Sequence, residues 1–346
     1  MSLSHTTLLS QISEIVTIDV DSMDPVDAAR HTSTSFKFCD MTSNQAIVQG
    51  QASRPERSQL LDAAVDSVIS KHRGTDQNQV VDEILDTLTV LLAKEVYPNL
   101  TGRVHAQAAP STAYDTEGTV AHAKRLITIF AENGIPKERV CIKIPATPQS
   151  ILACQQLEQV GIKTLATCLF SVPQAVAASQ AGCLYVAPYF NELRVHFDPQ
   201  IWKEYQDTAS EHAMGPVIQD IIRVFKLLGA KTLVMPASIV TTAEVIALTS
   251  LRPNHLTLSG SVLGGLADAS PVSVSELSER AQFDSSSKDS GATVNYLENG
   301  GAALKAALEN DGEVSRKLAD ALKIFAEMEA QTKELIRDKL VAGKTA

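Results

Sequence analysis

No stretch of this sequence is apolar for long enough to cross a bilayer, and its first residues, Met1 to Glu14, are too polar for a signal peptide. A cytoplasmic location is the expectation, which makes the Asn99-Leu100-Thr101 sequon a chance occurrence rather than a glycosylation site. Basic charge is short as well: 30 Lys and Arg stand against 40 Asp and Glu, a net charge of −10. That balance argues against nonspecific binding of nucleic acid or anionic membrane, both of which need basic surface. It leaves room for a local basic pocket. The five cysteines (Cys39, Cys141, Cys154, Cys168, Cys183) are odd in number, scattered and without a C-x-x-C pair. Such spacing fits reduced thiols, several inside apolar runs as small core residues, better than a disulfide framework or a zinc site. Missing too is any G-x-G-x-x-G after an apolar run, so a dinucleotide reading lacks its phosphate turn.

What is there is an ordinary globular composition over 346 residues, 44% hydrophobic and 20% charged. A chain of that size buries a sizeable core without metals or disulfides. Short apolar, β-branched runs alternate with longer segments of helical period, the signature of βα units and a parallel sheet. The candidate strands are Ile15–Val20, Phe36–Met41, Arg103–Gln107, Val140–Pro145, Thr164–Phe170, Leu184–Tyr189, Thr232–Pro236 and His255–Leu258. Helical patterns follow at Thr116–Glu132, Gln149–Gln159, Val172–Ala181, Ala209–Leu228 and Thr241–Leu248. Gly134, Gly161 and Gly182 stand where helices close before the next strand. Eight strands predict closure into an α/β (β/α)8 TIM barrel, a single domain over 1–346; a doubly wound open sheet is the alternative. Extra helices are expected in the insertion after the second strand, at Pro55–Lys71 and Asn78–Val96, and at the C-terminus over about 301–342. The latter would pack over the rim of the site.

Catalytic groups of such a barrel sit at the C-terminal ends of its strands and point inward. The fourth candidate strand reads Val-Cys-Ile-Lys-Ile-Pro, and a period of two puts Cys141, Lys143 and Pro145 on one face. Lys143 then points into the barrel. A free lysine, with a pKa of about 10.4, is neutral in roughly one molecule per few thousand at pH 7. Burial can lower that value by up to about 3–5, enough to make the neutral amine a major species. Two roles are open on pattern alone: a Schiff-base nucleophile, or a buried lysine paired with a carboxylate as a strut. Likewise Asp19 and Asp21 read either as functional carboxylates or as loop caps. Their D-x-D spacing hints at a metal, but no matching His, Asp and Glu set supports one, and no metal or cofactor is expected.

Several further motifs carry a resemblance. Gly102-Arg103-Val104, Tyr114-Asp115-Thr116-Glu117 with Ala123-Lys124-Arg125-Leu126, and Ile142-Lys143-Ile144-Pro145-Ala146-Thr147 resemble the transaldolase family. So do Thr167-Cys168-Leu169-Phe170-Ser171 and Ala187-Pro188-Tyr189. The likeness runs loosely from about Ile15 to His255 and is densest between Gly102 and Tyr189. The resemblance implies that Lys143 forms an imine with a ketose donor and that Asp19 is the first-strand general acid/base. It further implies that Asn44, in Asp40-Met41-Thr42-Ser43-Asn44, donates to a hydroxyl of the donor, and that Thr167 helps hold a water. On residues alone, Ser43-Asn44 is a strand-ending turn pair.

The sequence departs from that family in ways that bear on substrate. Gln107 replaces a glutamate, and glutamine holds water without exchanging a proton. Tyr189 replaces a phenylalanine; the Gln107/Tyr189 pair is similar to that of the related fructose-6-phosphate aldolases. Of two phosphate-binding arginines, one position is Glu192 and the other Val240. Arginine suits phosphate because its fork binds two oxygens at once. At about 1.5–3 kcal/mol for each charged hydrogen bond, two lost arginines imply roughly a hundredfold weaker capture of a sugar phosphate. Arg194 or Ser238 is a candidate substitute for substrate binding, although Arg194 is expected to pair with Glu192. Leu165 and Ala187 also replace polar residues.

The leading expectation is a transaldolase- or aldolase-like enzyme acting on an unphosphorylated carbonyl compound in specialised metabolism. In it Lys143 forms the imine, Asp19 moves protons, Gln107 and Thr167 hold water, Tyr189 assists proton transfer and Asn44 orients the donor. The alternatives are a pentose-phosphate transaldolase with a rebuilt phosphate site and an inactive barrel kept for binding. The implied partner is a small carbonyl substrate, with a homodimer as the assembly and neither nucleic acid nor membrane.

Overall fold

The computed structural model describes residues 6–33, 36–71, 76–281, 291 and 293–343. Seven strands are formed among the described residues: β1 (Thr17–Val20), β2 (Val104–Gln107), β3 (Val140–Pro145), β4 (Lys163–Leu169), β5 (Tyr185–Pro188), β6 (Leu233–Val234) and β7 (His255–Leu258). All pairings are parallel; β2 through β6 lie side by side in chain order, and β1 pairs with β7. Residues of β2, β3 and β5 are buried throughout, as expected for parallel strands covered by helices on one face and packed side chains on the other. The fold class is therefore α/β, as the alternation of patterns indicated.

The second expected strand, Phe36–Met41, is not a regular one. Its end makes isolated parallel bridges instead, Met41 to both Val20 and Val104. Its backbone still bonds on both sides: Cys39 N to Ile18 O at 3.2 Å, Thr42 N to Val20 O at 2.9 Å and His105 N to Met41 O at 2.8 Å. The irregularity follows from Asp40, whose side chain takes the Arg103 N–H at 2.6 Å. Gly102 makes this approach possible, since a Cβ there would fall 1.9 Å from Asp40 Oδ1. On the other side, β6 bonds toward β7 through Asn254 N to Val234 O at 3.0 Å and Thr257 N to Pro236 O at 3.3 Å.

The helices follow the sequence pattern closely where caps are strong. Thr116–Glu132 starts on Asp115, whose carboxylate accepts from Gly118 N, and Val172–Gln180 starts on Ser171. The stretch expected as one helix over Ala209–Leu228 is two, Thr208–Glu211 and Met214–Leu228. The break lies at His212, which leaves helical geometry and stacks on Phe190 with ring centroids 3.9 Å apart. In the insertion, a 3-10 turn (Pro55–Arg57) precedes helices Ser58–Ile69 and Gln77–Val96. Of the Ser- and Asp-rich stretch 270–289, positions 282–289 lie outside the described residues. The C-terminal helix, Gly312–Gly343, packs on helix Gln45–Ala52 and on the 3-10 turn Leu193–His196. No helix among the described residues is long and apolar enough to cross a membrane.

Candidate active site

Lys143 is 1% exposed, yet it lines a cavity of about 290 Å³. Asp21, Asn44, Tyr189, His196 and Ser238 supply polar groups to that wall; Ile47, Leu193, Phe197, Ala237 and Met328 supply apolar ones. Burial lowers the Lys143 pKa by disfavouring the ammonium, while Asp21 opposes the shift. The neighbouring thiols add little to that opposition, because burial pushes Cys168 up to about 12 and Cys141 well above its usual value. Lys143 Nζ stands 5.8 Å from the centre of the Tyr189 ring. Burial raises the Tyr189 phenol well above its ordinary range, with the Thr167 hydroxyl working against it, so Tyr189 keeps its proton at neutral pH.

The residues expected at the site do not all arrive there. Asp19 is the main correction: it lies outside the cavity wall, fully buried, accepting from Asp40 N at 2.8 Å and paired with His255 Nδ1 at 2.8 Å. Asp19 and Asp21 share a face because side chains repeat every second residue, but Asp21 lies just past the C-terminal end of β1 and lines the Lys143 cavity. Thr42 Oγ1 orients it by donating to Asp21 Oδ1 at 2.6 Å. Asn44 is in place and caps helix Gln45–Ala52, its Oδ1 accepting from Ala46 N and Ile47 N at 2.9 and 3.0 Å. With the oxygen so committed, Nδ2 is the atom left to donate.

Gln107 pairs with Lys143 across the ladder but borders a second, smaller cavity of about 20 Å³ beside Ser43, Asn44, Gln45 and His122. That volume has room for about one water. Gln107 Nε2 donates to Gln45 Oε1 at 2.5 Å, and Gln107 Oε1 is left without a protein partner. Thr167 Oγ1 is likewise buried without a well-formed bond, next to a β-bulge where Cys168 takes a φ of 52°.

Arg194 is the second correction. It ion-pairs with Asp320 at 3.7 Å and does not line the cavity, whereas Glu192 pairs with Arg316 at 2.8 Å. The 3-10 turn over Leu193–His196 abolishes the period of two that would have put residues 192 and 194 on one face. Val240 does not reach the cavity either; its N–H caps onto Glu244 at 2.8 Å. The fold also assembles what spacing did not suggest: Asp19, Cys39 and His255 present ligand-type atoms within 4.8 Å of one another. Those atoms already serve one another and Asp40, to which the Cys39 thiol, raised to about 12 by burial, donates at 3.4 Å. His196, Phe197 and Met328 carried no sequence signal, because they reach the site from a turn and from a helix far along the chain.

The sequence model of a family described as Transaldolase/Fructose-6-phosphate aldolase matches residues 17–335. A transaldolase of Aliivibrio salmonicida (strain LFI1238) is 28% identical over 335 residues, spanning 97% of this chain and 100% of that one. One of Gibberella intermedia is 29% identical over 308 residues, 88% of this chain and 91% of the other. One of Saccharomyces cerevisiae (strain ATCC 204508 / S288c) is 28% identical over 308 residues, 89% of each.

Proposed function

The chain belongs to the transaldolase/fructose-6-phosphate aldolase family and is a Schiff-base transferase or aldolase; from that premise we propose that it makes or breaks a carbon–carbon bond of an unphosphorylated carbonyl compound through an imine on Lys143. One observation carries this reading: a buried lysine of lowered pKa lines a cavity whose described residues include no arginine and no other lysine. The arrangement is read as a (β/α)8 barrel in one domain, with residues 38–42 as the eighth strand. The bonds across that segment and from β6 to β7 support it.

The neutral Lys143 amine adds to the substrate carbonyl carbon. The carbonyl oxygen takes one proton from the amine nitrogen, passed on by the Asp21 carboxylate, and a second from solvent, and leaves as water, so that a protonated imine remains. Asp21, in the role expected for Asp19, then removes the proton of the β-hydroxyl. The electrons of the breaking C–C bond flow into the imine, so an aldehyde departs and an enamine stays. The enamine either attacks a second aldehyde, whose oxygen takes the proton from Asp21, or is protonated at carbon and released by water. Asn44 donates to the donor's hydroxyl, Gln107 Oε1 and Thr167 Oγ1 hold the water, and the Tyr189 phenol serves as a proton donor beside the imine.

A second reading, transfer between sugar phosphates, is favoured by the names of the relatives. Borohydride reduction with uncharged ketones and aldehydes should leave an adduct on Lys143 alone, and Lys143→Ala should fold and lose turnover. An adduct elsewhere would sink the assignment. Efficient turnover of fructose 6-phosphate with erythrose 4-phosphate would promote the second reading.

A further inference from the structure

Ser238 is held in a place serine seldom occupies. Its φ is 58°, in the left-handed region where a Cβ is strained. Its carbonyl is fixed there twice, by Asn191 N at 3.1 Å and Asn191 Nδ2 at 3.0 Å. Asn191 Nδ2 also donates to buried Glu244 at 3.0 Å, which accepts Val240 N at 2.8 Å and caps the following helix through Thr241 N at 3.3 Å. Strain retained by so many partners points to a side chain that must be aimed. That side chain reaches the Lys143 cavity and meets His196 Nε2 at 2.9 Å. His196 closes the turn Leu193–His196 at the exposed rim, flanked by Phe197, which is 49% exposed, and faced by Met328 of the C-terminal helix. Desolvation lowers its pKa, so the imidazole is neutral.

We propose that His196 and Ser238 form a neutral hydrogen-bonding subsite in the Lys143 cavity. It selects aldehydes and ketones that carry an uncharged hydroxyl or carbonyl oxygen away from the reacting carbon, on a partly apolar body. An imidazole and a hydroxyl each donate and accept, so the pair turns to suit either oxygen. Neither carries the charge that a phosphate dianion needs, and the neighbouring arginine position is the carboxylate Glu192. Leu193, Phe197 and Met328 accept the apolar part. The subsite rests on the imine reading of Lys143 but adds a selectivity that imine formation alone does not require.

Borohydride trapping with three aldehydes separates the two: propanal, which lacks the remote oxygen, glyceraldehyde, and glyceraldehyde 3-phosphate. The unaltered protein should form the Lys143 adduct faster with glyceraldehyde than with either of the others. His196→Leu should lower the glyceraldehyde-to-propanal ratio by about two- to tenfold, the effect of one neutral hydrogen bond. His196→Gln, which keeps a donor, should recover most of it, and His196→Arg should raise the rate with the phosphate relative to glyceraldehyde. No adduct with any aldehyde would remove the imine reading itself. Adducts with all three and unchanged ratios in His196→Leu and His196→Arg, with native circular dichroism, would overturn the subsite and leave that reading standing.

Discussion

Two carboxylates two residues apart, Asp19 on β1 and Asp21 just past its end, have opposite surroundings. Asp21 lines the Lys143 cavity and its charge favours the ammonium form of that lysine. Removing the charge in Asp21→Asn should therefore lower the Lys143 pKa further and move the rising limb of imine trapping to lower pH. Turnover should fall by about 10²–10⁴-fold, as for a lost general acid/base. Asp19 instead holds β1 to β7 through His255 and receives the Asp40 N–H. Asp19→Ala should leave the pH profile of trapping in place and cost about 3–5 kcal/mol of stability, because it strands a buried partner. Chemical denaturation and trapping across pH distinguish the two. A shifted profile in Asp19→Ala with none in Asp21→Asn would reverse the assignment. The sequence carried the face of both residues, since alternation sets it. It did not carry their depth, because depth depends on how neighbouring strands are staggered.

At the scale of elements, the C-terminal helix Gly312–Gly343 shapes the site from outside the strand ladder. Arg316 in its second turn pairs with Glu192 at 2.8 Å and with Asp320 at 2.8 Å, and Met328, three turns on, borders the cavity. A glutamate at a family arginine position thus has a structural partner as well as a consequence for substrate. Glu192→Arg would set two guanidinium groups against each other and loosen this end of the helix. Pairs as exposed as this are worth about 0.2–1 kcal/mol, so amide exchange over residues 316–321 should speed up by no more than about fivefold. Adding Arg316→Glu should restore it. If the single variant leaves exchange unchanged, the pair contributes nothing to docking. The helix itself was legible from its period, as part of the helical extension expected over about 301–342, which also holds the shorter helix Glu298–Glu309. Its partner was not, because the turn Leu193–His196 follows no simple period and contact across 124 positions leaves no local trace.

Across the whole molecule, one buried knot joins the inserted helices to the strands. Ala109 N, just past β2, donates to His122 Nδ1 at 2.9 Å. A nitrogen that accepts an amide proton belongs to the neutral tautomer, so the hydrogen is on Nε2 and is donated to Asp86 Oδ1 at 2.9 Å. Arg125 Nε donates to the other Asp86 oxygen at 2.6 Å. Helix Gln77–Val96 carries Asp86 and helix Thr116–Glu132 carries its two partners, so two helices meet at one carboxylate and His122 ties them to the chain just past β2. Burial works against the charge of Asp86, but His122 and Arg125 outweigh it and lower its pKa; Asp40 is lowered likewise by His105, Arg103 N and Tyr185 against its burial. A carboxyl depressed in the folded state adds stability above its unfolded value, about 3.9. That stability is lost as pH falls through the folded value. The share of the denaturation midpoint that Asp86 and Asp40 supply should hold between pH 7 and about 5 and then decline. Asp86→Asn should be less stable at pH 7 and should decline less steeply in acid, each unit of lost pKa difference being worth about 1.4 kcal/mol. A variant whose acid limb runs parallel to that of the unaltered protein would show that this knot does not set the acid stability of the fold.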